Sequence, residues 1–266
     1  MTPLAYLLAA GVGLVLGALG GGGSILAVPI FVYALAMDPK IAIAMSLPIV
    51  GLTSLAGAWG HWREGHLQVK QALIFGIAAM LGAFTGTQLA GLISGRTQLA
   101  ALAVVMGAAA LSMLAPTRTP ADAPAGSPSL VLSIVTGLLI GVLTGLLGVG
   151  GGFLFVPALV LFARLPMKQA IGTSLLVIAM SSTAGLLGYL GHVPVDWGVV
   201  IRFTTAAIVG LAAGVYLVRF LPHQSLRRAF GVFLLVVAGW MLFQNLRAPG
   251  DTLHRSVILT TEEGLT

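Results

Sequence analysis

The first charged side chain in this sequence is Asp38, so Met1–Met37 is an unbroken run without formal charge. Further charge-free runs follow at Ile41–Trp62, Gln71–Gly95, Thr97–Thr117, Ala123–Ala163, Gln169–Val195, Phe203–Val218 and Ala229–Leu246. A helix crossing the hydrocarbon core of a bilayer needs about 20 apolar residues. Most of the runs are therefore one crossing long. Only 8% of the chain is Asp, Glu, Lys or Arg, whereas a soluble globular protein is about a quarter charged. The expected fold is an all-α integral membrane protein of about eight transmembrane segments, multi-pass in a cell membrane.

The first and fifth runs are too long for one simple crossing, even a tilted one. Each carries a glycine cluster near its middle. Backbone amides cannot stay unpaired in lipid, so irregular backbone must line protein or water. Each long run then reads as a helix broken at its glycines, crossing once or folding back. The opening MTPLAYLLAAGVGL has no Lys or Arg and no small-residue cleavage site, so it reads as a retained segment, not a signal peptide. With no cysteine, disulfides, iron–sulfur sites and thiol catalysis are excluded. The basic pI arises from single Lys and Arg residues at segment ends, where anionic lipid attracts them, and not from a nucleic-acid patch.

Sliding the chain against itself by 128 residues superimposes Gly20-Gly21-Gly22-Gly23-Ser24 and Pro29 on Gly148-Val149-Gly150-Gly151-Gly152 and Pro157. In the same register Lys40, Ser46 and Ser54 fall on Lys168, Ser174 and Ser182. Between positions 17 and 60, 18 of 44 residues are identical to their mates, far above chance, so the chain is a duplicated unit. The first repeat is 1–115, a Pro/Ala/Ser-rich linker 116–129, the second repeat 130–247 and a polar tail 248–266. Transporters are often doubled this way, with the substrate held where the halves meet at broken helices. Folding the long runs back on themselves separates the Lys and Arg of alternate loops slightly better than single crossings do, which inclines the topology to inverted repeats.

At its paired G-x-G-G-[GS]-x4-P motifs and at A-x-G-T-S-L in the second half, the chain resembles the TauE/SafE family of sulfite and organosulfonate exporters. The resemblance is carried by Gly17–Gly60 and again by Gly145–Gly188, with weaker likeness in length, segment count and duplication over nearly the whole chain. One departure is visible: the first half has Ala44-Met45-Ser46 where the second has Gly172-Thr173-Ser174. The resemblance implies a permease for sulfite, sulfoacetate or a similar small anion.

Glycines lacking Cβ let backbone approach a ligand closely, and a helix restarting after a break offers free N–H groups and a positive dipole end. Gly22, Gly23 and Ser24, and Gly150, Gly151 and Gly152, would then form two anion cups. The competing reading is tight helix packing, the usual use of glycine in membranes. Ser46, Thr173 and Ser174 are further candidate contacts, although buried hydroxyls commonly bond a carbonyl one turn back. Thr53, Ser54, Ser181, Ser182 and Thr183 carry the same ambiguity. Arg202, six residues after Asp196, either attracts substrate or snorkels to the interface. Gln88 and its mate Tyr216 lie mid-segment, lining a pathway or bridging helices. His61, Arg63 and His66 follow the second segment, with His192 near the equivalent place; they carry protons or are simply solvated. Trp59, Trp62 and Trp197 read as interfacial anchors.

No Asp or Glu lies inside an apolar segment. Cation-coupled carriers usually keep a membrane carboxylate, so its lack favours an anionic or neutral substrate. No cofactor and no metal-ligand spacing is evident. An intramembrane enzyme lacks H-E-x-x-H, G-x-S-x-G or a paired Asp. The reading is a secondary transporter of a small anion. Its partners are that anion and membrane lipid, without nucleic acid and with homo-oligomers allowed. A passive channel and a scaffold without transport are the alternatives.

Overall fold

The computed structural model describes residues 3–20, 22–115, 130–147, 152–190, 192–218, 220 and 222–247. The linker 116–129, the tail 248–266, Gly150 and Gly151 lie outside them. The described residues form α1 (Pro3–Leu19), α2 (Gly22–Pro29) running into a π-helical turn (Ile30–Ala34), α3 (Pro39–Arg63), α4 (Val69–Ala90) and α5 (Gly95–Leu114). There follow α6 (Leu130–Leu147), α7 (Gly152–Leu161), α8 (Met167–Tyr189), α9 (Trp197–Val218) and α10 (His223–Arg247). Helices α3, α4, α5, α6, α8, α9 and α10 are long and apolar enough to span a bilayer, and α1 is a shorter apolar helix. The chain is a multi-pass, all-helical membrane protein.

The duplication reappears element by element. Helices α3, α4 and α5 begin 128 residues before α8, α9 and α10 respectively. The mates Ala36 and Arg164, in the loops ahead of α3 and α8, both take φ 51°, a left-handed conformation uncommon for non-glycine residues. Caps fix the helix starts. Asp38 Oδ1 accepts the Lys40 amide at 2.8 Å ahead of α3, with Pro39 at the first helical position. Ser94 Oγ accepts the Thr97 amide ahead of α5.

Helices α3 and α8 form the centre, and their apolar windows are 72% buried where no other spanning helix exceeds 50%. They run antiparallel: Gly51 faces Ser182, Gly57 faces Leu175, and His61 faces Gly172. By contrast α1 lies parallel to α9, with Gly13 on Ala207 and Gly17 on Leu211. Helix α4 lies parallel to α6, with Gly82 on Leu138 and Gly86 on Val142. These are one interface occurring twice, because α1 corresponds to α6 and α9 to α4. Each repeat therefore lends its first helix to the other, and the two interlock.

Helix α9 also runs parallel to α3, with Gly57 and Gly60 on Leu211 and Val215. So α1 and α3 point the same way, and the segment between them must come back. The long first run is thus a hairpin: α1 ascends, the chain turns at Gly20, and α2 with its π turn descends to α3. Each repeat consequently makes an odd number of traverses. Corresponding helices of the two repeats point in opposite directions.

Glycine drives the peripheral packing. Gly13 and Gly17 of α1 pack on Ala207 and Leu211 of α9, and Gly210 and Gly214 of α9 on Ala10 and Leu14. Likewise Gly82 and Gly86 of α4 pack on Leu138 and Val142 of α6, and Gly141 and Gly145 of α6 on Ala79 and Ala83, backbone against backbone. This is the small-xxx-small spacing membrane helices use for close approach. Outward faces carry Leu7, Leu81, Val104, Leu139 and Val209, all exposed, as lipid contact requires.

Candidate functional site

The α1–α2 break is built at the repeat interface. Gly20 takes φ +70°, which glycine adopts at no steric cost. A Cβ there would lie 2.9 Å from Ser174 Oγ, 3.0 Å from Val156 Cγ2 and 3.2 Å from Ile171 Cα. The break of the first repeat thus rests on α7 and α8 of the second. Gly22 and Gly23 open α2, and Ser24 behind them is fully buried. Gly152 opens α7.

Of the second repeat's Gly172-Thr173-Ser174, Ser174 faces this break, while Gly172 and Thr173 face the α3–α4 loop. At Gly172 a Cβ would stand 2.7 Å from the His66 carbonyl oxygen and 2.9 Å from His61 Cβ, so the α3–α4 loop sits directly on the helix there. The Gln68 amide donates to Thr173 Oγ1 at 3.1 Å. Ser174 Oγ donates to the Ile171 carbonyl, and Ser46 Oγ to the Ile43 carbonyl, each at 2.8 Å. The departure between halves then has a physical cause: Gly172 makes room for the loop and Thr173 fastens it. Their mates Ala44 and Met45 are fully buried, and Met45 joins an apolar cluster with Phe31 and Phe203.

Near the crossing of α3 and α8, α3 carries two adjacent hydroxyls, Thr53 and Ser54, and α8 three, Ser181, Ser182 and Thr183. Thr53 donates to Ile49 at 2.6 Å and Ser181 to Ile178 at 3.2 Å. The mates Ser54 and Ser182 are buried, and among the described residues their hydroxyls have no hydrogen-bond partner. Because Gly51 faces Ser182 across the crossing, these two hydroxyls flank the point where the repeats are exchanged. Unsatisfied buried hydroxyls in an apolar setting are costly, and function is a common reason to keep them.

The C-terminal turns of α1 and α6 each receive a polar side chain from another helix. His61, fully buried at the end of α3, brings Nε2 to 3.4 Å from the Gly17 carbonyl near the end of α1. Gln98 of α5 donates Nε2–H to the Leu146 carbonyl at the end of α6, at 2.8 Å. These carbonyls are among the last four of each helix, which lack intrahelical partners. Gln98 also lines a polar cleft of about 310 Å³ with Lys40, Thr87, Gln88, Tyr189 and His192, at the end of the bundle opposite the α1–α2 turn.

Other sequence candidates are spread more widely. Arg202 is exposed and donates Nε–H to the Gly198 carbonyl. Leu211 is level with Gly17, and nine residues of helix separate it from Arg202, about 14 Å at 1.5 Å per residue. Arg202 is not brought to the break. Gln88 lines the polar cleft, whereas Tyr216 is exposed with its ring 5.3 Å from Phe220. Trp59, Trp62 and Trp197 are exposed, and the Arg63 guanidinium lies 5.5 Å over the Trp59 ring. His61 is far from a solvated loop residue. Its repeat mate, Tyr189, is also buried. Gln98 is a lone amide that its apolar run did not single out.

Two interlocked repeats of opposite direction, the first with a hairpin that turns at Gly20, are an architecture that membrane transporters share. The description "Sulfite exporter TauE/SafE" matches residues 5–241 and 191–261, and the chain belongs to that family. It is 35% identical over 240 residues to a probable membrane transporter protein of Xylella fastidiosa (strain 9a5c), covering 88% of this chain and 92% of that one. It is 26% identical over 240 residues to probable membrane transporter protein YdhB of Bacillus subtilis (strain 168), covering 86% and 95%. No solved structure matches the chain.

Proposed function

We propose that this protein carries a small anion, sulfite or an organosulfonate, out of the cell, bound at the paired glycine-rich helix breaks between the two repeats. The observation that carries the reading is Gly20 packed on Ser174 and Ile171 of the opposite repeat. A ligand at the N-terminal amides of α2 there touches both repeats at once, so any change in their relation changes its access. Ser24, Ser46, Thr173 and Ser174 border the path, and Ser54 and Ser182 offer two further donors at the crossing of α3 and α8. None of the described helices contains Asp or Glu, which fits a path for negative charge. Arg202, on the first turns of α9, belongs to the rim, where it would attract anions rather than hold them.

Orientation follows from the positive-inside rule. The end bearing the α3–α4 loop carries Arg63, Lys70, Arg164, Lys168, Arg227 and Arg228, against Lys40, Arg96, Arg202 and Arg247 at the other. The α1–α2 turn then faces the cytoplasm, and the cleft around Lys40 and His192 faces outward. An inside-negative potential favours outward movement of one negative charge by about 2.3 kcal/mol per 100 mV, so export needs no coupled ion. The test is current from purified protein in proteoliposomes after a rapid sulfite jump, compared with sulfate, chloride and sulfoacetate. A saturable sulfite current, lost in a folded Gly150→Val protein, supports the reading. Tracer flux without current refutes uncoupled export, and neither signal refutes the substrate.

A further inference from the structure

Directly beneath the α1–α2 break lies a group of side chains that anion transport does not use. Helix α3 ends at Arg63, and Gly65, at φ +73°, reverses the chain. The Gly65 amide bonds the Trp62 carbonyl at 3.0 Å and the His66 amide the His61 carbonyl at 2.9 Å. That turn folds His66 and Glu64 back over His61. One ligating atom from each of His61, Glu64 and His66 lies within 4.8 Å of the other two. His66 Nδ1 and Glu64 Oε2 are 3.5 Å apart.

We propose that His61, Glu64 and His66 form a binding site for a divalent transition-metal ion of the zinc class, which fastens the α3–α4 loop to the α1–α2 break. This goes beyond anion export and stands independently of it.

The tautomer of His61 is the second observation. Its Nε2 faces the Gly17 carbonyl, and a carbonyl can only accept, so Nε2 carries the hydrogen. The lone pair is therefore on Nδ1, which is buried and has no hydrogen-bond partner among the described residues. An imidazole whose other N–H is fixed by a backbone carbonyl is the arrangement of a metal-ligating histidine. Two imidazoles and a carboxylate suit zinc, whereas calcium and magnesium take oxygen ligands. Bond lengths of about 2.0–2.2 Å in a tetrahedral site place ligand atoms roughly 3.4 Å apart. The Glu64–His66 pair already has that spacing. The remaining closure, at most about 1.4 Å from the 4.8 Å separation, falls to Glu64 and His66, on the loop, while His61 stays in the core. The Glu64 and His66 side chains are 12% and 29% exposed, which leaves an entry path and a fourth position for water.

The consequence is mechanical. The loop is already attached to α8 through the Gln68–Thr173 bond and the His66 carbonyl on Gly172, while His61 reaches α1. A bound ion closes this circuit among the three elements that meet at the first break. The second repeat has Tyr189, His192 and Pro194 at the matching positions, so only one such site is built.

Full-length protein in detergent is titrated with Co²⁺, read by its visible absorption, and then with competing Zn²⁺. Thermal melting is followed in parallel. The expected result is one equivalent bound and a Zn²⁺-dependent rise in Tm, because the ion binds only the folded chain. His66→Asn and Glu64→Gln, on the partly exposed loop, should weaken binding by at least about tenfold, the lower bound for even outer-shell changes. Both should remove the Tm response while leaving the metal-free Tm near wild type. His192→Asn should leave binding unchanged. Binding equal in wild type, His66→Asn and Glu64→Gln overturns the proposal, as does no binding at all or a loss in His192→Asn of the same size.

Discussion

Gly20 combines two demands that no other residue meets together. Its φ of +70° costs an L-residue about 1–2 kcal/mol, and its missing Cβ leaves room for Ser174 Oγ. Gly20→Ala should therefore lower Tm by roughly the equivalent of 1–2 kcal/mol and lower anion flux, because the break cannot keep its contact with α8. Wild-type flux and Tm in that variant would show that the turn matters to neither. The unpartnered hydroxyls separate function from stability more cleanly. Removing a buried polar group that has no partner is nearly neutral or stabilising, so Ser54→Ala and Ser182→Ala should keep or raise Tm. If both hydroxyls face the anion, flux in each falls several-fold, measured in proteoliposomes at equal reconstitution. Unchanged flux would leave them outside the path. Sequence alone could not rank these serines above Ser46 and Ser174, because a hydroxyl's partner depends on the facing helix. Ser46 and Ser174 turn out to bond carbonyls one turn back, whereas Ser54 and Ser182, of the same residue type and repeat symmetry, do not.

Among the elements, glycine has two distinct uses that the sequence presents as one. The spaced glycines of α1, α4, α6 and α9 are packing surfaces, and those at the break are turns. A Cβ on Gly141 would stand 2.8 Å from Ala79 Cα and closer still to its carbonyl oxygen. Backbone cannot yield as a flexible side chain does, so Gly141→Ala should cost about 1–3 kcal/mol by overpacking. Gly107, in α5, has nothing within 4 Å of its missing Cβ. Gly107→Ala should be neutral or stabilising by about 0.5–1 kcal/mol. Melting of the two variants in one detergent checks the pair, and equal Tm values would refute the division. The helix ends were legible because charge punctuates lipid-soluble sequence sharply: Asp38 and Lys40 stand at the start of α3, and Arg63 ends it. The 128-residue repeat was legible because Gly20, Pro29, Lys40 and Ser46 keep their mates. The hairpin left only a faint signal, the slightly better separation of Lys and Arg when the long run folds back, since α1 and α2 are equally apolar. The direction of α9 against α1 and α3 reveals the return. His61 was read as a loop residue because the Gly65 reversal that buries it leaves no pattern in hydropathy.

For the whole molecule, opposite direction of the repeats is the feature from which transport follows. Two like halves pointing opposite ways can exchange conformations, so a state open to one side implies its counterpart open to the other. The chain offers a direct check, since it has no cysteine and single cysteines report without background. Ala36 and Arg164 are repeat mates with the same φ of 51°, each in the loop leading to a central helix. In a parallel duplication they would lie on one side of the membrane. Here Ala36 precedes α3 and Arg164 precedes α8, and those helices are antiparallel. Ala36→Cys should be labelled by a membrane-impermeant maleimide from outside intact cells. Arg164→Cys should be labelled only after the membrane is opened. Labelling of both from one side would refute inverted repeats and, with them, any exchange of states between the two breaks. Opposite labelling with the sides reversed would keep the architecture but place the α1–α2 turn outside. The potential would still favour outward movement of an anion, but the anion would then enter by the second break and leave by the first.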